Sequence, residues 1–133
     1  MALVQLTYAS HPFGFDDATL AGILLDARRC NLRDGITGAL IVRGDIYLQL
    51  LEGPRRAVEA AYARIRRDDR HVDVRAVQRV ATEQRLFAGW AMRDDPARPW
   101  LWSPQAVADG AAEAASADEI LSIFKRVRLS LPV

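Results

Sequence analysis

The residue of this sequence that most needs a chemical explanation is a glutamine inside an otherwise apolar stretch. Gln49 lies within Tyr47-Leu48-Gln49-Leu50-Leu51, which has the composition of an interior strand. A buried amide without a hydrogen-bond partner costs ~1–3 kcal/mol, so Gln49 needs a partner: a backbone edge, a water or something bound beside it. Tyr8 ends the first apolar run, where it is either a plain core residue or a hydroxyl with the same need.

Three other polar or soft residues accompany this pair. Asn31 follows the first predicted helix, and Trp90 and Met92 share one face of a predicted fifth strand by alternation. Each also has a plain structural explanation, Asn31 as a helix C-cap and Trp90 with Met92 as packing. Together with Gln49, these residue types offer hydrogen bonding and soft contacts rather than acid–base catalysis.

The sequence lacks the motifs of the common enzyme classes. Gly35-Ile36-Thr37-Gly38 has no lysine after it, so it is not a phosphate-binding loop. His11 and His71 are too few and too far apart for a metal site, and Cys30 has no histidine beside it to act as a base. The loop at residues 9–15 contains no arginine, which an acylphosphatase-like activity would need to hold a phosphate. We therefore predict that the chain is not an enzyme and holds no metal.

The composition is typical of a single soluble domain. The 133 residues are 50% hydrophobic and 26% charged with a net charge of +1, which favours neither a nucleic-acid nor a membrane partner. The single cysteine excludes an intrachain disulfide framework. Apolar runs are too short to span a membrane, and the first residues lack the basic region of a signal peptide. We therefore expect a cytoplasmic protein.

Hydrophobic periodicity predicts the elements that must position these residues. Five runs alternate with period two or are rich in β-branched residues, and they predict strands over residues 3–8, 36–42, 46–51, 72–80 and 87–92. Arg43-Gly44-Asp45 predicts a hairpin between the second and third strands.

Two helices are predicted between these strands. The first begins at Asp16 and Asp17, which offer an N-cap, and the second follows Gly53-Pro54. Their apolar stripes consist of Leu20, Ile23, Leu24 and Ala27 in the first helix and Val58, Ala61, Tyr62 and Ile65 in the second. The order of elements predicts an α+β fold, a ferredoxin-like βαββαββ sandwich with a mixed sheet and two helices on one face.

The last forty residues predict a C-terminal helix pair. Residues 106–115 are rich in alanine, although Gly110 weakens a helix there, and Ser116-Ala117-Asp118-Glu119 has the pattern of a capping box. The last helix carries Ile120, Leu121, Phe124 and Val127 on one face. This pair must cover the bare face of the sheet or a second subunit. We expect a division into residues 1–94 and a linker with C-terminal helices over residues 95–133.

The motifs resemble those of the BLUF family, blue-light sensors that use FAD. The similarity covers roughly residues 2–94 in order and is carried by four segments. They are Leu3-x-x-Leu6-x-Tyr8-x-Ser10, Asn31 followed by Gly35-Ile36-Thr37-Gly38-Ala39-Leu40, Tyr47-Leu48-Gln49-Leu50-Leu51-Glu52-Gly53, and Arg85-x-Phe87-x-x-Trp90-x-Met92. Arg67-Asp68-Asp69-Arg70-His71 also matches the middle of such a domain.

The resemblance implies a flavin that lies between the two helices, over the sheet. It implies that Tyr8 donates an electron and then a proton to the excited flavin, and that Gln49 switches its hydrogen bonds in response. Trp90 and Met92 then carry the change to the C-terminal helices. The implied cofactor contacts come from Ser10, Ile23, Asn31, Gln49, Ile65, Asp68, Arg70 and His71. For Ile23 and Ile65, core packing explains the periodicity equally well. For Asp68, Arg70 and His71, solvated charge at a helix end is an equally good interpretation.

Two departures from the family pattern concern residues near the implied flavin. Cys30 stands where a polar residue such as asparagine or histidine is usual, and Ala27 replaces a frequent serine. Both remove polar partners, so flavin affinity or spectrum is expected to differ. Neither change touches Tyr8, Gln49 or Asn31.

The function expected from the resemblance is a photoreceptor that forms a homo-oligomer or signals to a protein effector, without a small-molecule substrate. The alternative is a flavin-free interaction module on the same fold. A flavin oxidoreductase is disfavoured because the sequence shows no site for a hydride donor.

Overall fold

The structure, a computed structural model, describes residues 3–12, 17–43, 46–68, 71–96 and 100–130. Its five strands are β1 (Leu3–Pro12), β2 (Thr37–Arg43), β3 (Ile46–Pro54), β4 (His71–Thr82) and β5 (Arg93–Pro96). Its helices are α1 (Asp17–Asp34), α2 (Arg55–Arg66), α3 (Pro104–Ala108), α4 (Ala111–Ala114) and α5 (Ala117–Leu129). The predicted α+β, ferredoxin-like sandwich with C-terminal helices is confirmed.

The first strand is an interior strand of the sheet, with a neighbour on each side. The spatial order is β4-β1-β3-β2-β5, and β1 pairs antiparallel with both β3 and β4. In this register Tyr8 stands directly opposite Gln49 on β3, and Leu40 of β2 stands opposite Gln49 on the other side. Strand alternation therefore brings Tyr8, Gln49 and Leu40 to one face of the sheet.

The face that carries Tyr8 and Gln49, here called the pocket face, is covered by α1 and α2. Its buried residues are Val4, Leu6, Tyr8, Ile23, Leu24, Ile36, Leu40, Tyr47, Leu51, Val58, Ala61, Tyr62 and Met92. Ile23 and Leu24 in α1, and Val58, Ala61 and Tyr62 in α2, belong to the predicted apolar stripes. The N-cap predicted at Asp16 and Asp17 concerns side chains outside the described part of the chain.

The opposite face, here called the cap face, is covered by the C-terminal helices. Its buried residues are Ala9, Ala39, Ile41, Ile46, Leu48, Leu50, Phe87, Leu101, Val107, Ala112, Ile120, Phe124 and Val127. The sequence left open whether these helices cover the bare face of the sheet or a second subunit. In the structure they cover the sheet face. None of the helices that the structure describes combines the length and apolar character needed to cross a membrane.

The C-terminal helices differ in one respect from the predicted pair. Gly110 has φ +97°, a left-handed conformation that favours glycine, and it separates α3 from α4. Ser116 caps α5 as predicted, because its hydroxyl accepts from the Glu119 N–H at 3.1 Å, and it also donates to the Glu119 carboxylate at 3.3 Å.

The position of the fifth strand was predicted wrongly. Residues 87–92 form turns and bends, and β5 begins only at Arg93, where it pairs in parallel with β2. Trp90 and Met92 therefore do not share a strand face. Met92 is buried on the pocket face, whereas Trp90 packs against the core of the cap face.

Candidate functional site

A cavity of about 260 Å³ lies between α1 and α2 above β3. Its lining consists of Ile23, Asp26, Ala27, Arg29, Cys30, Asn31, Gln49, Leu51, Ala61, Arg64, Ile65 and Asp68. Ile23 is buried on α1 and Ile65 is half-buried on α2, so the two helices each contribute an apolar wall. A few polar groups within mostly apolar walls are the usual character of a small-molecule site.

Gln49 is one of two buried polar residues that line this cavity, with 2% of its surface exposed; the other is Asn31. Its Nε2 donates to Met92 Sδ at 3.4 Å, while its Oε1 has no hydrogen-bond partner among the described residues. A thioether is a weak acceptor, and a buried carbonyl oxygen without a donor is costly. A bound molecule that offers a donor here would relieve that cost, so the site fits a polar, planar ligand such as the flavin ring.

Tyr8 lies beside Gln49, as its opposite neighbour on β1, and is fully buried. Burial raises the pKa of its hydroxyl well above the usual value, and the nearby Tyr62 and Asp68 raise that pKa further. The Tyr8 and Tyr62 ring centroids are 5.7 Å apart. The phenol is therefore neutral at physiological pH.

Asn31 is buried in the last turn of α1 rather than at a C-cap. The helix ends at Gly35, whose φ of +71° allows Ile36 N–H to donate back to Asn31 C=O at 2.9 Å. The Asn31 side chain is thus free to donate from Nδ2 to Ala91 C=O at 2.8 Å. It lines the cavity and also holds the chain next to Met92.

Trp90 packs against the core of the cap face, whereas the cavity lies on the pocket face. Its ring centroid is 6.3 Å from that of Phe87, and the Arg128 guanidinium of α5 lies 5.5 Å from it. Its carbonyl accepts from Gly38 N–H at 3.1 Å. Two positions farther on, Met92 contacts Gln49, so a short stretch of chain connects the cavity with the cap helices.

Of the charged residues around the cavity, the sequence prediction named Asp68 but not Asp26, Arg29 or Arg64. Arg29 pairs with Asp26 at 3.2 Å within α1, and Arg64 of α2 pairs with Asp34 of α1 at 3.5 Å. On the sequence these residues look like the wet sides of two helices, and only the approach of α1 to α2 brings Arg64 to Asp34. Asp26 lies three positions after Ile23 and Arg64 lies next to Ile65, and these spacings are the signal that could have found them.

The other predicted contact residues are not all in this cavity. Asp68 lines it, but Ser10 lines a second cavity of about 230 Å³ with His11, Asp73 and Glu113. Arg70 and the His71 side chain lie outside the described residues. Cys30 and Ala27, the two departures from the family pattern, both line the first cavity.

The chain matches the model of the BLUF family, described as sensors of blue-light using FAD, over residues 3–93. It is 39% identical over 88 residues to the photoactivated adenylate cyclase subunit beta of Euglena gracilis and 40% identical over 88 residues to subunit alpha. Each match covers 64% of this chain but only 10% and 8% of the respective subunit. The chain therefore spans about a tenth of the length of these curated relatives.

Similarity to solved structures extends over nearly the whole chain. The dark-state structure of BlrB, a BLUF protein, has a TM-score of 0.80 at 30% identity, with 97% of each chain covered. The ground-state structure of BlsA has a TM-score of 0.83 at 21% identity and covers 98% of this chain and 91% of that chain, which is a likeness of fold alone. Because this coverage includes residues beyond the matched family region, the C-terminal helices are part of the shared fold.

Proposed function

Because this chain belongs to the BLUF family of blue-light sensors using FAD, we propose that it is a photoreceptor whose cavity between α1 and α2 holds the flavin ring. The observation that carries the proposal is the buried Gln49 Oε1, which lacks a donor among the described residues and lies on the lining of that cavity. The apolar side chains of Ile23 and Ile65 would contact the two faces of the ring.

The polar contacts of the cofactor follow from what the cavity offers. Asn31 and Gln49 are amides, which donate and accept, so they suit the polar edge of a flavin. Asp68 lines the same cavity, and its carboxylate suits hydroxyl groups of the ribityl chain. Contacts from Ser10, Arg70 and His71 remain predictions from the family resemblance.

Bound FAD absorbs blue light and, once excited, is a strong one-electron oxidant. Tyr8 is the residue suited to supply an electron, because its phenol is buried in direct cross-strand contact range of Gln49. Its raised pKa keeps the proton on the hydroxyl in the dark, so the electron and the proton leave Tyr8 together or in succession. The electron would pass to the flavin, the proton would follow through the Gln49 amide, and both would return to Tyr8 on recombination, so that no net oxidation remains.

Gln49 is suited to act as the switch. Its two amide ends differ only in hydrogen-bonding sense, so rotation or tautomerisation exchanges a donor for an acceptor. Tautomerisation makes Oε1 a donor and leaves one proton on Nε2, whereas rotation removes the bond from Nε2 to Met92 Sδ and places the acceptor Oε1 beside the sulfur. Met92 then loses its donor, which alters the position of the segment that ends with it.

The output follows the chain from Met92 to the cap face. Trp90 contacts Arg128 of α5, so a shift of the segment changes the packing of the last helix as a population shift between two arrangements. In this proposal residues 1–94 sense light, and residues 95–133 transmit it within a cytoplasmic homo-oligomer or to a protein effector.

Difference spectra before and after blue light test the proposal. The FAD-loaded wild type should show a small reversible red shift, and both Tyr8→Phe and Gln49→Leu should lose it. Tyr47→Phe is the matched control, because Tyr47 is a buried tyrosine on the same strand as Gln49 and should keep the red shift.

Two results would contradict this function. A red shift that survives in Tyr8→Phe or Gln49→Leu would remove these residues from the switch. A colourless protein that rejects added FAD would instead favour a flavin-free interaction module.

A further inference from the structure

We propose that Glu52 is a positioning residue that anchors the start of the crossing segment, defined as residues 85–92. The anchor makes a change at Gln49 move the Trp90–Met92 end instead of the whole segment. This inference rests on the proposed photoreceptor function and assigns the part of the molecule that directs its signal.

Glu52 is a carboxylate with none of its surface exposed. It lies on β3 three positions after Gln49, so strand alternation places it on the cap face while Gln49 lies on the pocket face. An apolar residue would be the cheaper occupant of such a position, because a buried carboxylate must recover its lost hydration through hydrogen bonds.

Four donors converge on the two carboxylate oxygens of Glu52. Oε2 accepts from Leu86 N–H at 2.8 Å and from Gln5 Nε2 at 3.2 Å. Oε1 accepts from Phe87 N–H at 2.6 Å and from the Thr37 hydroxyl at 3.0 Å. Two consecutive backbone amides of the crossing segment are thus bound to a side chain of β3. Bonds to a charged acceptor are the stronger class.

Arg85 reinforces this end of the segment. Its Nη1 donates to Glu52 C=O at 3.1 Å and to the Thr37 hydroxyl at 2.9 Å, and its Nη2 donates to Gly35 C=O at 2.8 Å. The beginning of the segment is therefore attached to β2, to β3 and to the turn after α1.

The other end of the crossing segment is held through its backbone carbonyls and one sulfur, and the carbonyl of Trp90 accepts from Gly38 N–H at 3.1 Å. Met92 Sδ, a weak acceptor, accepts from Gln49 Nε2. The carbonyls of Ala91 and Met92 accept from Asn31 and Arg28, respectively. The same strand thus holds the segment twice, through Glu52 by charge-assisted bonds and through Gln49 by a weak bond. Loss of the weak bond leaves the anchored end in place and moves the part that carries Trp90.

The test is residue-resolved amide hydrogen exchange on the FAD-loaded full chain, in the dark and under blue light. Glu52→Gln keeps the size of the side chain but replaces one acceptor oxygen by an NH₂ group, which then faces two donors. Gln5→Met is the matched control, because it removes one buried donor to Glu52 without touching the crossing segment.

In the wild type the amides of Leu86 and Phe87 should stay protected in both states, while light increases exchange at Ala91, Met92 and α5. In Glu52→Gln the dark exchange of at least one of the amides of Leu86 and Phe87 should rise roughly tenfold or more, because glutamine keeps only one of the two acceptor oxygens. The light response of α5 should fall roughly fivefold or more, while the red shift remains. Gln5→Met should retain the wild-type response.

A wild-type response of α5 in Glu52→Gln with a normal red shift would overturn the anchor and leave the photoreceptor function intact. If Glu52→Gln does not fold, the wild type alone tests the anchor. Under blue light its amide exchange must increase less at Leu86 and Phe87 than at Ala91 and Met92, and an equal increase would overturn the anchor. A wild type without any red shift would refute the photoreceptor function, and the anchor's signalling role with it.

Discussion

Gln49 and Glu52 show two ways in which one strand carries a buried polar side chain. Glu52 is surrounded by four donors, so its burial is compensated within the chain. Gln49 has one weak bond to sulfur and an acceptor without a donor among the described residues. The compensated residue is bonded within the chain, and the uncompensated one is where we propose that the flavin binds.

The raised pKa of Tyr8 gives a pH dependence to stability. In the unfolded chain Tyr8 loses its proton near pH 10, whereas in the folded chain burial keeps the proton on to higher pH. Above about pH 10 the unfolded state therefore binds fewer protons than the folded state, and the free energy of unfolding falls as pH rises. Below about pH 10 this contribution of Tyr8 is fully present.

Urea unfolding at a series of pH values, with FAD held at one concentration, measures this effect. The free energy of unfolding of Tyr8→Phe should fall less steeply above about pH 10 than that of the wild type, because phenylalanine has no proton to lose. Equal slopes for the two proteins would mean that Tyr8 ionises equally readily in both states.

Sequence patterns identified the residues whose environment is set by their own strand or helix. The helical stripes pointed Ile23 and Ile65 inward and the interrupted apolar strand singled out Gln49, whereas Asn31 was named as a contact residue through the family resemblance; all four line the cavity. The role of Glu52 was missed, because its partners come from β1, β2 and the crossing segment. A charged residue in an otherwise apolar strand was the available signal, and the approach of three separate elements decides what it does.

At the scale of elements, β2 and β3 approach each other at a glycine. A Cβ on Gly38 would lie 1.9 Å from Leu50 C=O, too close for any side chain without backbone movement. Gly38→Ala should therefore reduce the free energy of unfolding by about 1–3 kcal/mol and loosen the bond from Gly38 N–H to Trp90 C=O.

Gly89→Ala is the control for that substitution, because a Cβ there meets nothing within 4 Å. Chemical denaturation should show a change of no more than about 1 kcal/mol in either direction. Equal losses in the two variants would mean that general glycine effects, rather than the strand contact, determine the result.

The misplaced fifth strand shows the limit of alternation as a signal. Phe87, Trp90 and Met92 are apolar because the crossing segment passes from the cap face to the pocket face, not because they line one side of a strand. The actual strand, Arg93–Pro96, has little intrinsic strand propensity and forms through pairing with β2. Such pairing is a tertiary effect that local sequence does not report.

For the whole molecule, the sheet separates two cores with different roles. Phe124 of α5 is fully buried on the cap face, with its ring centroid 6.5 Å from that of Phe87. Phe124→Ala should lower the free energy of unfolding by about 3–5 kcal/mol, because it removes a large side chain from a closed core. The red shift should remain, because the cavity lies on the other face.

Lys125→Ala tests the same helix at an exposed position and should change stability by no more than about 0.5 kcal/mol. Thermal unfolding together with difference spectra covers both variants. Loss of the red shift in folded Phe124→Ala would show that the two faces are not separable.

The central place of β1 has a consequence for how the protein is made. Its neighbours β3 and β4 come later in the chain, and at about 5–20 residues per second Thr82 is synthesised roughly 4–16 s after Leu3. Until β3 has been synthesised, the strand that carries Tyr8 has no partner for either edge, and one edge stays open until β4 follows, which exposes it to aggregation and to chaperones. The cavity cannot form before α2 has emerged, so the flavin capture proposed above must follow the synthesis of Arg66.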